Sequence, residues 1–319
     1  MYAARDLHGV MAMMPAFATP DAGDINATST IDVDNLQRGV DRMIKDGINV
    51  IATTGSFGEF HTLLPEEYET IIRATIEAVD KRVPLFLGCT ALNSRQAVRN
   101  MRFIRDAGGQ GVLVGVPFYF PSTVDNAVEF YRQIGGMFPD LSIMVYHNPA
   151  LHHVTIPVDA FNRLVDIPNI VGMKDSHRQT AEMLKLHQII KGKISQFCFQ
   201  GQYYPYAQLG AAGCWSIDAW MGPWPLLAIR DAVEDGNTEL AAELTMALTG
   251  GGTPDGGLSW RETANKIAIH YAGYCEPGPL RPPFVKVPEN IVEGAKKRAA
   301  YWQTLCDKAR PHVKEKVLA

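Results

Sequence analysis

No apolar run in this chain approaches the roughly 20 residues that a bilayer-spanning helix needs, and Met1 to Val10 lacks the apolar h-region of a secretion signal. Neither membrane insertion nor secretion is expected. Cysteine is scarce: the five thiols, Cys89, Cys198, Cys214, Cys275 and Cys306, include no C-x-x-C pair. An odd count without paired spacing points to reduced thiols in a cytoplasm, and away from a disulfide framework or a zinc site. Charge of neither sign dominates. The formal balance of -4 gives no electrostatic reason to expect nucleic acid or an anionic membrane as partner. No G-x-G-x-x-G turn follows a strand-type run, so the usual mark of an open dinucleotide-binding sheet is missing. No G-x-S-x-G elbow supports a hydrolase triad.

What is present is a globular composition, 46% hydrophobic and 20% charged over 319 residues, enough for a sizeable core. Along the chain, short strand-type runs alternate with amphipathic segments. A run at Gly9 to Ala16 leads through a polar loop, Thr19 to Ile31, to a helix that Asp32 can cap. Asn49 to Thr53, Val83 to Gly88, Gly111 to Val116, Ser142 to Tyr146, Ile170 to Lys174, Gln196 to Gln200 and Gly213 to Ile217 read as further strands. Pro65 suits a first helical position, and Pro157 to Val165 reads as a helix before the sixth strand. Eight βα units in succession call for parallel strands with right-handed crossovers, and predict a (β/α)8 TIM barrel over residues 1–224. After the eighth strand only helical patterns follow, which predicts a C-terminal helical extension over 225–319. Its glycine-rich run, Thr249 to Gly257, reads as a solvated linker or as a mobile edge of the substrate pocket.

In such a barrel, chemistry gathers at the C-terminal ends of the strands. That rule selects Ser56, Tyr119, Tyr146, Asn148, Lys174 and Trp215. Lys174 ends an apolar run, with Asp175 and Ser176 expected to open a loop or cap the next helix. An amine beside a barrel core is poorly solvated, so its charged form is disfavoured and more free amine is available to attack a ketone. The alternative is a lysine that snorkels to water or pairs with Asp175. Tyr146 lies one βα unit earlier, so its phenol should stand about 5 Å away on the neighbouring strand, placed to move protons during imine formation. Asn148 is two residues further on and should face the same way. Gly55-Ser56-Phe57-Gly58-Glu59 offers backbone N–H groups and a hydroxyl for a carboxylate, or exists only for tight geometry. Glu59 reads either as a salt-bridged loop carboxylate or as a general base. Adjacent His152 and His153 would point apart on a strand and do not suggest a metal site.

Taken together, the Gly-Ser-Phe-Gly-Glu turn, Pro117 to Phe120, the Tyr146 strand, Lys174 and the helical tail resemble the class I pyruvate aldolases of the dihydrodipicolinate synthase and N-acetylneuraminate lyase superfamily. The resemblance implies Lys174 as the Schiff-base lysine and Tyr146 as the acid/base phenol, with Gly55 and Ser56 at the pyruvyl carboxylate. It implies no organic cofactor and no metal. Two positions depart from the dihydrodipicolinate synthases. Phe57 stands where they carry a proton-relaying threonine, and Asn148 to His152 lacks their acceptor-gripping arginine. Tyr146-x-Asn148, Cys214-Trp215-Ser216 and Gly278 to Pro283 are instead similar to the trans-o-hydroxybenzylidenepyruvate and trans-2'-carboxybenzalpyruvate hydratase-aldolases of polycyclic aromatic degradation. That likeness implies an aryl keto-acid substrate, with Asn148 and Trp215 placing water and the aryl group. Phe57, Phe118, Phe120, Trp215 and Trp220 are candidates for an aryl pocket, with ordinary aromatic packing as the alternative for each. Tyr119 matches a position that reaches a neighbouring subunit in relatives, which implies a homotetramer. A sugar-acid aldolase or dehydratase, and a barrel that only binds a keto acid, are the alternatives.

Overall fold

The computed structural model describes residues 1–250 and 257–314. Its strands are β1 (Gly9–Met13), β2 (Val50–Thr53), β3 (Leu85–Gly88), β4 (Gly111–Val114), β5 (Ser142–His147), β6 (Ile170–Asp175), β7 (Ser195–Phe199) and β8 (Gly213–Ser216). They close in chain order into an eight-stranded barrel, and every neighbouring pair from β2 to β8 runs parallel. The helices between them are α1 (Val33–Lys45), α2 (Pro65–Val79), α3 (Ser94–Asp106), α4 (Val124–Met137), α5 (Pro149–His152), α6 (Phe161–Leu164), α7 (Thr180–Ile190) and α8 (Tyr203–Ala207). After β8 come α9 (Trp224–Glu234), α10 (Thr238–Ala247), α11 (Gly257–Ala272) and α12 (Glu289–Ala309), with no strand among the described residues. The expected (β/α)8 barrel followed by helices is the observed architecture. Residues 251–256 of the glycine-rich run lie outside the described residues.

The chain forms two compact units. One comprises Met1–Met11, Asn49–Gly55 and Val83–Trp215; the other comprises Ala12–Ile48, Ser56–Arg82 and the chain from Ser216 on. In the first unit, every residue of β5 and β6 is buried, as strands covered on both faces require. Their register pairs Tyr146 with Lys174 and His147 with Asp175. Paired residues share a face, so the phenol and the amine belong to one side of the sheet and the next pair to the other. Gly213 opens β8 because nothing larger fits: a Cβ there would stand 2.1 Å from the Gly9 carbonyl oxygen and 2.8 Å from Phe197.

In the second unit, the Asp32 side chain accepts a hydrogen bond from the Asn35 amide and starts α1 as expected. Pro65 opens α2. Trp220, considered above for an aryl pocket, is instead fully buried core, edge-on to Phe17 at 5.7 Å. The buried side of α12, Ile291, Ala295, Ala299, Trp302, Leu305 and Cys306, recurs at helical spacing and packs against α9 and α11.

Two local expectations need correction. Pro157 to Val165 is a 3-10 turn, Val158–Ala160, followed by the four-residue α6. Asp175 neither opens the loop nor caps α7, whose N-cap is Gln179. Asp175 is the last residue of β6, because its carboxylate has partners inside the protein and the β5 ladder extends to meet it.

Candidate active site

Lys174 is 3% exposed. Its Nζ lies 3.6 Å from the centre of the Trp215 ring and 4.4 Å from that of Tyr146, with Ser176 Oγ at 3.4 Å. The amine therefore does not snorkel into bulk water. Two aromatic faces are its nearest ring neighbours. Asp175 directs its carboxylate elsewhere. Oδ1 accepts from His147 Nδ1 at 3.1 Å, and Oδ2 accepts from Arg178 Nε and Gln196 Nε2, both at 2.9 Å.

Tyr146 is buried beside Lys174, and His152 stands edge-on to it, ring centres 4.8 Å apart at 89°. Burial, reinforced by the charge of Lys174, pushes the His152 imidazole down to about 3, so the ring is neutral at ordinary pH. The room it occupies exists because residue 115 is glycine: a Cβ there would sit 2.2 Å from His152 Cε1. Sequence reasoning set His152 aside when testing it as a metal ligand. Pro149, at the first helical position, turns the chain into α5 and brings His152 back over Tyr146.

Asn148 is the first residue after β5 and is partly exposed. Its carbonyl accepts the Leu151 and His152 amides at 3.0 and 2.8 Å, which makes it the N-cap of α5. The strand alternation used to orient it ends at His147. Trp215 stands on β8 and donates its indole N–H to the Asp175 carbonyl at 2.9 Å. Lys174, Tyr146 and Trp215 are thus brought together, with Asn148 two residues beyond Tyr146.

Gly55 follows β2, where the Thr54 hydroxyl donates to the Gly88 carbonyl at 2.9 Å. Ser56 and Phe57 come next and are both buried. Glu59 is the salt-bridged carboxylate of its two readings. Lys266 Nζ reaches its oxygens at 3.0 and 3.1 Å and Arg281 Nη1 at 2.6 Å. Arg281 also donates to Thr30 and to the Ala16 and Phe17 carbonyls. Tyr119 and Phe120 are exposed, packed edge-to-face at 5.0 Å beside a groove of about 600 Å³ that Leu92, Asn93 and Pro117 also line. A buried amine flanked by the ring of a tyrosine and that of a tryptophan is a set of groups that can form an imine and move the protons that this needs.

The dihydrodipicolinate synthetase family model matches residues 11–297. Trans-o-hydroxybenzylidenepyruvate hydratase-aldolase of Pseudomonas putida is 32% identical over 316 residues, covering 95% of each chain. Trans-2'-carboxybenzalpyruvate hydratase-aldolase of Nocardioides sp. strain KP7 is 26% identical, covering 93% of each. Among solved structures, PhdJ bound to substrate intermediate superposes with a TM-score of 0.91 at 27% identity, covering 97% of this chain and 99% of the other.

Proposed function

The chain belongs to the dihydrodipicolinate synthetase family, and from that premise we propose that it is a hydratase-aldolase acting on an ortho-substituted trans-benzylidenepyruvate. The observation that carries this reading is the Lys174 amine, buried at the end of β6 between the rings of Tyr146 and Trp215. The names of its relatives supply the substrate class.

In the proposed sequence, the uncharged amine of Lys174 adds to the 2-keto carbon, water leaves, and a proton taken up through Tyr146 gives a protonated imine. The imine withdraws electrons through the conjugated double bond, and water adds at the benzylic carbon. The adjacent carbon takes a proton. Removing the proton of the new hydroxyl then breaks the carbon–carbon bond. An aromatic aldehyde departs, and the electron pair returns to the imine as the enamine of pyruvate. Protonation and hydrolysis release pyruvate and restore the amine. Tyr146 shuttles protons at the imine, Asn148 holds the added water, and Trp215 receives the aryl ring. Gly55 and Ser56 hold the carboxylate in this reading, beside Phe57; these roles rest on the resemblance. The protonated imine formed on the lysine is the electron sink, so the reaction needs neither a metal nor an organic cofactor. We place the enzyme in the cytoplasm, the compartment to which an odd cysteine count without paired spacing points.

The test is turnover. Purified protein mixed with o-hydroxy- and o-carboxybenzylidenepyruvate is followed by loss of enone absorbance and by pyruvate release. Loss of the enone with stoichiometric pyruvate and aldehyde is expected. Cleavage of polyhydroxylated keto acids alone would move the assignment to a sugar-acid aldolase. No turnover of either class would leave a barrel that only binds.

A further inference from the structure

Behind Lys174 and Tyr146 lies a buried polar cluster to which the proposed reaction assigns no task. The register places His147 and Asp175 on the other face of β5 and β6. Asp175 gathers hydrogen bonds from His147 on β5, Gln196 on β7 and Arg178 in the following loop. Its backbone carbonyl accepts from Trp215 on β8. One residue therefore ties together four successive strands. Burial works to raise the Asp175 carboxyl, but the hydrogen bond from His147, the His177 imidazole 3.4 Å away and the charge of Arg178 outweigh it and hold the group well below the usual carboxylate range.

The cluster is not arranged as a metal site, although His147, Asp175 and His177 offer ligand atoms within 4.8 Å of one another. His147 Nε2 accepts the Ile156 amide at 3.0 Å and so carries no proton; burial lowers the pKa of the ring. Its Nδ1 therefore carries the proton and donates to Asp175, with no lone pair for an ion. The arrangement is also costly. Arg178 Nη1 and Gln196 Oε1 are buried without a hydrogen-bond partner, an expense that apolar packing would avoid.

We infer that Asp175 is a positioning residue for the Schiff-base lysine. Lys174 and Asp175 share a peptide bond, so clamping the Asp175 side chain from three sides fixes the backbone from which the lysine stem departs. Its carbonyl fixes the indole, whose ring stands 3.6 Å from Nζ. Together they hold the amine where a keto carbon can meet it, and misplacement by an ångström is enough to slow such a step by about 100-fold. The inference rests on the reading that Lys174 forms the imine.

The experiment measures borohydride trapping of pyruvate on Lys174 as a function of pyruvate concentration, with folding checked by near-ultraviolet circular dichroism. In Asp175→Asn the maximal trapping rate is expected to fall on the order of 100-fold, while half-saturating pyruvate stays within about threefold, since the amine is displaced and the carboxylate site is not. Arg178→Met added to Asp175→Asn removes the cation left unpaired and is expected to restore about tenfold. His147→Asn keeps an N–H donor and is expected to trap within about threefold of wild type, whereas His147→Leu loses about tenfold. Wild-type trapping in folded Asp175→Asn, or a double variant slower than the single one, overturns the inference. Should Asp175→Asn not fold, the His147 pair decides, and equal rates overturn it. A wild-type protein that gives no adduct overturns the Schiff-base reading itself.

Discussion

At the scale of single residues, Lys174, Tyr146 and Asn148 carry distinct tasks, and each can be removed separately. Lys174→Ala is expected to abolish turnover and Tyr146→Phe to cost about 10²–10⁴ in kcat, the usual value of a positioned acid/base; both are read in the enone assay. Asn148→Ala is expected to slow hydration more than retro-aldol cleavage, which feeding the pre-formed aldol separates. Equal losses in the two steps would reject the water-holding role. The titration of His152 gives an independent reading of the site. Its imidazole sits at about 3 because of burial and then the charge of Lys174, so Lys174→Met should move its NMR titration upward. The same residue predicts acid sensitivity. The unfolded chain binds a proton at His152 near 6.5 and the folded chain only near 3, so its contribution to stability is lost as pH falls through that window.

At the scale of elements, alternation and register account for what was legible in the sequence. One βα unit of spacing put Tyr146 beside Lys174, and the ladder pairs them. Asp32 and Pro65 marked helix starts by side-chain chemistry that acts locally. The partners of Asp175 were not legible, because Arg178, Gln196 and His147 meet it through three different elements. Nor was Trp220, whose burial against Phe17 depends on residues far away in sequence. Strand β8 yields a stability prediction. Gly213→Ala would push a methyl group into the Gly9 backbone, and should cost about 1–3 kcal/mol or more in denaturant unfolding. The loop after β2 yields another. Glu59→Gln leaves two buried cations, Lys266 and Arg281, without their carboxylate, a loss of about 3–5 kcal/mol. Burial already draws Lys266 down to about 8. Without Glu59, which holds it up, the Lys266 amine falls further, while the unfolded chain holds that proton to about 10.5, so the variant should regain stability as pH rises from below 8 towards 10.5.

At the scale of the whole molecule, the exposed aromatics on the loop after β4 are unusual for a surface facing only water. Tyr119 is 71% exposed, Phe120 75%, and Leu92 beside them 58%. We propose that a second copy of the chain covers them within a homotetramer. Light scattering should then give four times the 35.1 kDa chain mass, and Tyr119→Asp with Phe120→Asp should lower it; a wild-type monomer would reject the proposal. Fold, site and reaction meet in one covalent bond, and borohydride reduction in the presence of pyruvate tests it most directly. The account predicts a single added pyruvyl unit, mapped by peptide mass to Lys174 and absent from Lys174→Ala. An unlabelled protein, or an adduct on another lysine, would contradict it.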